Sequence, residues 1–176
     1  IIDRVLYGVR HSNILAGFLS DYSSVTRYCL VMRALVQRVK EASVRVEDQL
    51  VGAITQGLCV FVGVTHDDGL KECDLLVKKL LNLRIMDDEN GVMNKSVIED
   101  KGEILIVSQF TLYGDISKGR RPAWSAAAPP KQAEPLIERV VEGLKAGGAT
   151  VETGKFREYM LVDLINDGPA TLMIEI

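Results

Sequence analysis

Histidine is nearly missing from this chain: 176 residues hold only His11 and His66. That limits any mechanism that relies on imidazole as a general base. Cysteine is scarce as well. Cys29, Cys59 and Cys73 are odd in number and have no paired spacing, which excludes a disulfide framework and a C-x-x-C metal or redox site. A reducing, cytoplasmic setting is expected on that ground. No apolar run reaches the roughly 18 residues that a transmembrane helix needs. Positive charge is not in excess either: 21 Lys and Arg stand against 24 Asp and Glu, a formal net charge of -3. Proteins that coat nucleic acid along its length are basic, so a broad nucleic-acid surface and a DNA partner are disfavoured. A contact with one end of an RNA remains compatible with this charge.

What is present is ordinary for a folded domain. Hydrophobic residues make up 47% and charged residues 26%, and the length is enough for one core. Residues 1–31 show no clean period of 2 or 3.6 and carry Arg4, Arg10 and Arg27 against Asp3 and Asp21. At Met32 the texture changes, and Arg33–Val39 reads as a first strand. The folded domain is therefore expected at 32–176, with 1–31 an upstream, leader or targeting extension outside it.

Within the domain the strand signals come early. Ala42–Glu47 alternates as a half-buried strand does, Asp48-Gln49 reads as a turn, and Leu50–Thr55 as the returning strand of a hairpin. Leu58–Val64 is a continuous apolar run, as in a strand buried on both faces. Positions 73, 75, 76, 80 and 83 trace one face of a helix over Leu70–Leu83, with Asp67 and Asp68 placed to cap it. Arg84–Met86 reads as a short strand, and Asp87-Asp88-Glu89-Asn90-Gly91 as a hairpin turn, since it lacks the alternating spacing of a calcium loop. Glu103–Gln109 is a further strand, followed by a long loop from Tyr113 to about Pro130. Leu136, Ile137, Val140, Val141 and Leu144 mark a second helix that Gly147-Gly148 stops. Three more strands, Ala149–Thr153, Met160–Ile165 and Thr171–Ile176, close the chain. Strands and helices do not alternate regularly, which argues against a doubly wound parallel sheet. The expected architecture is α+β: a curved, mostly antiparallel sheet or barrel-like core packed with two main helices.

Four segments could carry chemistry. Ser108-Gln109-Phe110-Thr111 ends an apolar strand, where side chains and backbone N–H groups are held rigidly near solvent. No G-x-S-x-G elbow surrounds Ser108, and a Ser-His-Asp triad would have to draw on His66. Taken alone, the segment is equally a strand end with polar caps. His66-Asp67-Asp68 offers metal ligands or an acid–base pair, or simply a loop leading into a helix. Lys118-Gly119-Arg120-Arg121-Pro122, with Trp124 close behind, is a basic loop of the kind that holds RNA phosphates beside a stacking aromatic, or an ordinary solvated loop. Asn166-Asp167-Gly168-Pro169 is a turn whose X-Pro bond is a candidate for the cis form.

These segments together, with Met32–Val39, Ser108–Leu112, Gly119–Pro122, Thr153-Gly154-Lys155-Phe156 and Asn166–Thr171 in this order, closely resemble the D-aminoacyl-tRNA deacylase (D-tyrosyl-tRNA deacylase) family. The resemblance runs through 32–176. It implies a homodimer without metal or other cofactor that acts on the acceptor end of aminoacyl-tRNA. Such an enzyme hydrolyses the ester of a D-amino acid, or of glycine mischarged on tRNA-Ala. It implies that Gly168-Pro169 is cis and projects from one subunit into the active site of the other, where its carbonyls exclude an L side chain. Ser108, Gln109, Phe110 and Thr111 match the catalytic motif. Arg38, which by this match helps hold the Gly-Pro motif across the interface, Phe156 and Asn166 match supporting or substrate-binding positions. Lys118, Arg120 and Arg121 would touch the tRNA. Either Thr111 is the nucleophile, or water acts with help from the ribose 2′-OH of the tRNA. The second fits better, because no His, Cys or Lys is evident beside Thr111 to act as base. Three departures concern the pocket rim: Trp124 stands where Phe is more usual, Arg157-Glu158-Tyr159 is bulkier than the small residues often found there, and Ala170 replaces the usual Val.

Overall fold

The computed structural model describes residues 31–176. The extension assigned to 1–31, with His11 and Cys29, lies outside the described residues except for Val31.

Strand β1, Arg33–Val46, joins two segments that the sequence suggests as separate strands. Its alternating burial sends Ala34, Val36, Ala42 and Val44 inward. A tight turn at Glu47 and Asp48, both with positive φ (48° and 63°), leads into β2, Gln49–Ile54. The turn thus falls one residue earlier than expected, because Gln49 already pairs with Val46. Strand β3, Gly57–Gly63, is buried almost throughout, as its apolar run implies. Helix α1, Leu70–Asn82, buries Cys73, Leu76 and Leu80, while Leu75 stays exposed. Its cap differs from expectation. Neither Asp67 nor Asp68 caps the helix. Glu72 reaches back to the Gly69 N–H at 2.9 Å, and the Asp68 carboxylate accepts the Thr65 N–H at 2.7 Å.

A small hairpin follows, β4 (Met86–Asp87) with β5 (Met93–Lys95). Gly91, with φ 73°, makes its turn in the left-handed region that glycine adopts at little cost. Strand β6, Glu103–Ser108, runs into a single 3-10 turn, Phe110–Tyr113. Helix α2, Pro130–Ala146, begins with proline in its first turn and buries Leu136, Val140 and Leu144. Strand β7, Thr150–Thr153, precedes the long β8, Leu161–Glu175.

The main sheet runs β2-β1-β3-β6-β7, with β8 on the other side of β1. Pairings that involve β1 are antiparallel, whereas β3–β6 and β6–β7 are parallel. Parallel neighbours need long crossovers, and α1 and α2 lie in those two connections. The helices pack on one face of the sheet over a core built around Val36, Leu58, Val60, Ile104 and Ile106. Leu76, Leu80, Val140 and Leu144 complete it from the helix side. Each such side chain contributes about 1.5–3 kcal/mol by burial. The other face curls around a second core of Val39, Ala42, Val44, Ile54, Cys59, Leu105 and Val107. The curl brings β2 against β7. A Cβ at Gly52 would stand 2.5 Å from the Thr153 carbonyl oxygen, and one at Gly57 would stand 1.9 Å from that of Glu103. Only glycine permits these approaches. The result is the α+β, nearly closed barrel expected from the sequence.

The last two expected strands form one. Gln37 pairs with Thr171 and Val39 with Asn166. Residues 167–170 of β8 therefore face the single residue Arg38 and are pushed out of the ladder as a protrusion. A bulge of this kind re-aims the chain without ending the strand.

Candidate active site

A cavity of about 730 Å³ opens where β3 and β6 end. Its floor is apolar: Val62, Val64 and Val107. Ser108, Gln109, Phe110 and Thr111 form one wall, Trp124 and the Pro129-Pro130 start of α2 another, and Phe156 to Met160 the rim. The motif wall is fixed from several sides. The Gln109 N–H donates to the Val62 carbonyl at 2.8 Å. Arg33 of β1 donates to the Leu112 carbonyl at 3.0 Å and lies over the Tyr113 ring, 5.1 Å from its centre. The buried Tyr113 hydroxyl donates to the Val31 carbonyl at 2.5 Å. Burial, the largest cause, pushes its pKa up, so it stays a neutral donor.

The Thr111 hydroxyl has one partner at hand, the side-chain amide of Gln109. An amide donates to the oxygen and takes no proton from it. Phe110 and Thr111 open the 3-10 turn, where backbone N–H groups have no partner within the helix. The Phe110 ring meets Trp124 edge to face, with centroids 5.5 Å apart, and Trp124 lies so close to Gly114 that a Cβ there would be 2.6 Å from the indole.

The other sequence-derived candidates fall into two further places. The basic loop is closed at its base by paired hydrogen bonds of 2.9 Å between Asp115 and Ala123, which leaves Lys118, Arg120 and Arg121 exposed at the tip. The Gly168-Pro169 peptide is cis. Both residues are exposed, and a Cβ on Gly168 would meet nothing within 4 Å. Neither lines the cavity of its own chain. Arg38, almost fully buried, holds this turn: Nε donates to the Asp167 carbonyl at 3.1 Å and Nη2 to the Gly168 carbonyl at 3.2 Å. The hold expected across an interface is made within one chain. Asn166 secures the base of the turn. Its amide donates to the Arg38 carbonyl at 3.0 Å, and its oxygen accepts from Gln37 at 3.0 Å and from Thr171 at 2.9 Å.

His66 is not among the cavity residues. Its Nε2 lies 2.9 Å from the Ser125 carbonyl, so no triad with Ser108 is assembled. Cys59 and Cys73 are buried, and desolvation pushes their thiols up to about 12 and about 11. Neither is a ready nucleophile. Among the described residues, no three His, Cys, Asp or Glu side chains gather into a group that could hold a metal ion. Sequence reasoning missed Gln37, Tyr113 and the Pro129-Pro130 wall. The double proline is the one visible signal among them, since it marks a helix start opposite the motif strand.

A family description of D-Tyr-tRNA(Tyr) deacylases matches residues 35–175. The chain belongs to this family. As a D-Tyr-tRNA(Tyr) deacylase family member it is a hydrolase acting on the ester bond of aminoacyl-tRNA. It is 55% identical over 144 residues to the D-aminoacyl-tRNA deacylase of Thermotoga petrophila, covering 82% of this chain and 97% of that one. With the protein of the same name from Brevibacillus brevis it shares 54% identity over 82% of this chain and 99% of the relative. Among solved structures, the c-Myc DNA Unwinding Element Binding Protein superposes with a TM-score of 0.77 at 41% identity, over 82% of this chain and 98% of that one. A probable eukaryotic D-amino acid tRNA deacylase shares the fold at a TM-score of 0.71 and 20% identity, over 83% of this chain and 100% of the other. No helix among the described residues is long and apolar enough to cross a membrane.

Proposed function

We propose that this deacylase-family member cleaves the ester joining a D-amino acid, or glycine mischarged on tRNA-Ala, to the 3′ end of tRNA, and that it works in the cytoplasm as a homodimer. The observation that carries the proposal is a separation within one chain. The Ser108–Thr111 wall lines a cavity, while the exposed Gly168-Pro169 turn, held by Arg38, is not among the residues that line it. Each chain offers a site without its filter and a filter without its site, and a second copy supplies both. The outer edge of β8 supports this, because β8 pairs only with β1 among the described strands and leaves Leu161, Ile165, Leu172 and Met173 exposed. Unpaired edges and apolar patches of this kind are usually covered.

In this reading the aminoacyl ester enters the cavity with its carbonyl oxygen toward the N–H groups of Phe110 and Thr111, which stabilise the developing oxyanion. Water adds to the carbonyl carbon with help from the ribose 2′-OH, the ester C–O bond breaks, and the ribose 3′-oxygen takes a proton. Free amino acid and tRNA leave. An aminoacyl ester is already labile, so positioning and an oxyanion site suffice. Phe156 bounds the site near the amino group. The partner's Gly168-Pro169 carbonyls stand where an L side chain would point and reject it by clash. The Gly168 carbonyl has two lone pairs, so it can accept from Arg38 and still face substrate. Lys118, Arg120 and Arg121 on their closed loop meet the acceptor-end phosphates.

The test compares D-Tyr-tRNA and Gly-tRNA with a small D-tyrosine ester lacking RNA. Release from both tRNAs with little attack on the small ester supports the proposal. Equal cleavage of the small ester would make the chain a plain esterase using Ser108 or Thr111. RNA binding without release would reduce it to a tRNA-end binding module.

A further inference from the structure

The Asp87–Gly91 hairpin is so far only a turn, yet its first residue touches the most buried cation of the fold. Arg38 Nη1 donates to Asp87 Oδ1 at 2.8 Å and to the Ile85 carbonyl at 2.7 Å. The opposite edge of the same guanidinium holds the Asp167 and Gly168 carbonyls. A guanidinium is planar and rigid, so fixing one edge fixes the other.

The partners of Arg38 are not equivalent. The Asp167 carboxylate lies 3.3 Å from Arg38 Nε but only 2.9 Å from Lys40 Nζ, so it is shared between two cations. Asp167 also sits on the protruding turn and moves with it. Asp87 lies off β8 and is anchored to the body of the protein. Its neighbour Met86 is buried in the helix-side core. The hairpin turn beyond it is closed by the Asp88 carboxylate, which accepts the N–H groups of Asn90 and Val92 at 2.9 and 3.1 Å. A continuous set of contacts thus runs from the core through Asp87 and Arg38 to the Gly168 carbonyl.

We infer that Asp87 is a positioning residue for chiral selection, setting the angle at which Arg38 presents the Gly168 carbonyl. This rests on the filter reading proposed above. Without Asp87, Arg38 keeps the Ile85 carbonyl but has only the shared Asp167 as counter-charge. Its plane is then free to tilt, and the carbonyl yields to an L side chain.

The experiment measures kcat/KM on D-Tyr-tRNA and on L-Tyr-tRNA for the wild type, Asp87→Ala and Asp87→Asn. Losing one charge-assisted bond to a buried arginine should lower the D-to-L ratio of Asp87→Ala about tenfold, through a gain on the L substrate. Asp87→Asn keeps an acceptor oxygen for Nη1 and should recover most of the ratio. A merely structural role would lower both activities in proportion, and that result, or an unchanged ratio in Asp87→Ala, overturns the inference. A wild type without D-over-L preference would overturn the filter reading and the inference together, so the wild-type arm separates the two failures. Should the Ala variant unfold, Asp87→Val, whose β-branched side chain suits β4, repeats the test with the same two outcomes.

Discussion

At the scale of single residues, the site is notable for what its side chains do not provide. The Thr111 hydroxyl is paired with the Gln109 amide, and among the described residues no group that could take its proton is hydrogen-bonded to it. Removing a general base costs on the order of 10²–10⁴ in rate, and removing a true nucleophile up to about 10⁶. Thr111→Ala is therefore expected to retain kcat within about tenfold in single-turnover hydrolysis of D-Tyr-tRNA. A fall to background would restore Thr111 as nucleophile. The thiols make a second case. Burial raises Cys59 and Cys73 from 9.0 to about 12 and about 11. Up to about pH 9 these groups are protonated in both folded and unfolded chains, and their contribution to stability is intact. Above that the unfolded thiols ionise while the folded ones do not, so stability falls as pH rises toward 11–12. The urea midpoint should decline over that window. At pH 8, mass spectrometry after iodoacetamide treatment should find both thiols unlabelled in the folded protein and labelled in urea.

At the scale of elements, β1 and β8 do most of the positioning. The one-for-four mismatch of Arg38 against residues 167–170 extrudes the Gly-Pro turn, and the same arginine holds it in place. Much of this was legible in the sequence. Period 2 marked the strands, the 3.6 period marked both helices, and Asn90-Gly91 marked the hairpin. Register was not legible. Asn166–Ala170 reads as a turn between two strands, and only the pairing of Gln37 and Val39 shows one strand with an excursion. The cap of α1 is hidden for a related reason: Asp68 stands next to the helix start in sequence, but its carboxylate accepts the Thr65 N–H of the loop instead. Barrel closure was also hidden, because it depends on where glycine lets strands touch. Gly52→Ala on β2 places a Cβ 2.5 Å from the Thr153 carbonyl oxygen of β7. Overpacking of this kind should cost about 1–3 kcal/mol or more in denaturant unfolding. An unchanged midpoint would mean that the barrel closes elsewhere.

At the scale of the whole molecule, acidic balance and tRNA chemistry are compatible if, as proposed, the contact is confined to one end of an RNA. The charge proposed to meet the RNA sits on one closed loop with Lys118, Arg120 and Arg121 at its tip. The scarcity of histidine fits the proposed chemistry, which relies on backbone, water and substrate. The proposed site takes two chains, one giving the cavity and the other the filter. Sedimentation equilibrium should return twice the 19.4 kDa chain mass, and a monomer that remains fully active would contradict the shared site. The proposed selection is for chirality at one carbon, and the deciding quantity is the ratio of kcat/KM for D-Tyr-tRNA over L-Tyr-tRNA with the wild-type protein. Rapid release of D-tyrosine is expected, with L-tyrosine lost from its tRNA only at the rate of spontaneous hydrolysis. Equal attack on the L ester, or no attack on the D ester, would contradict it.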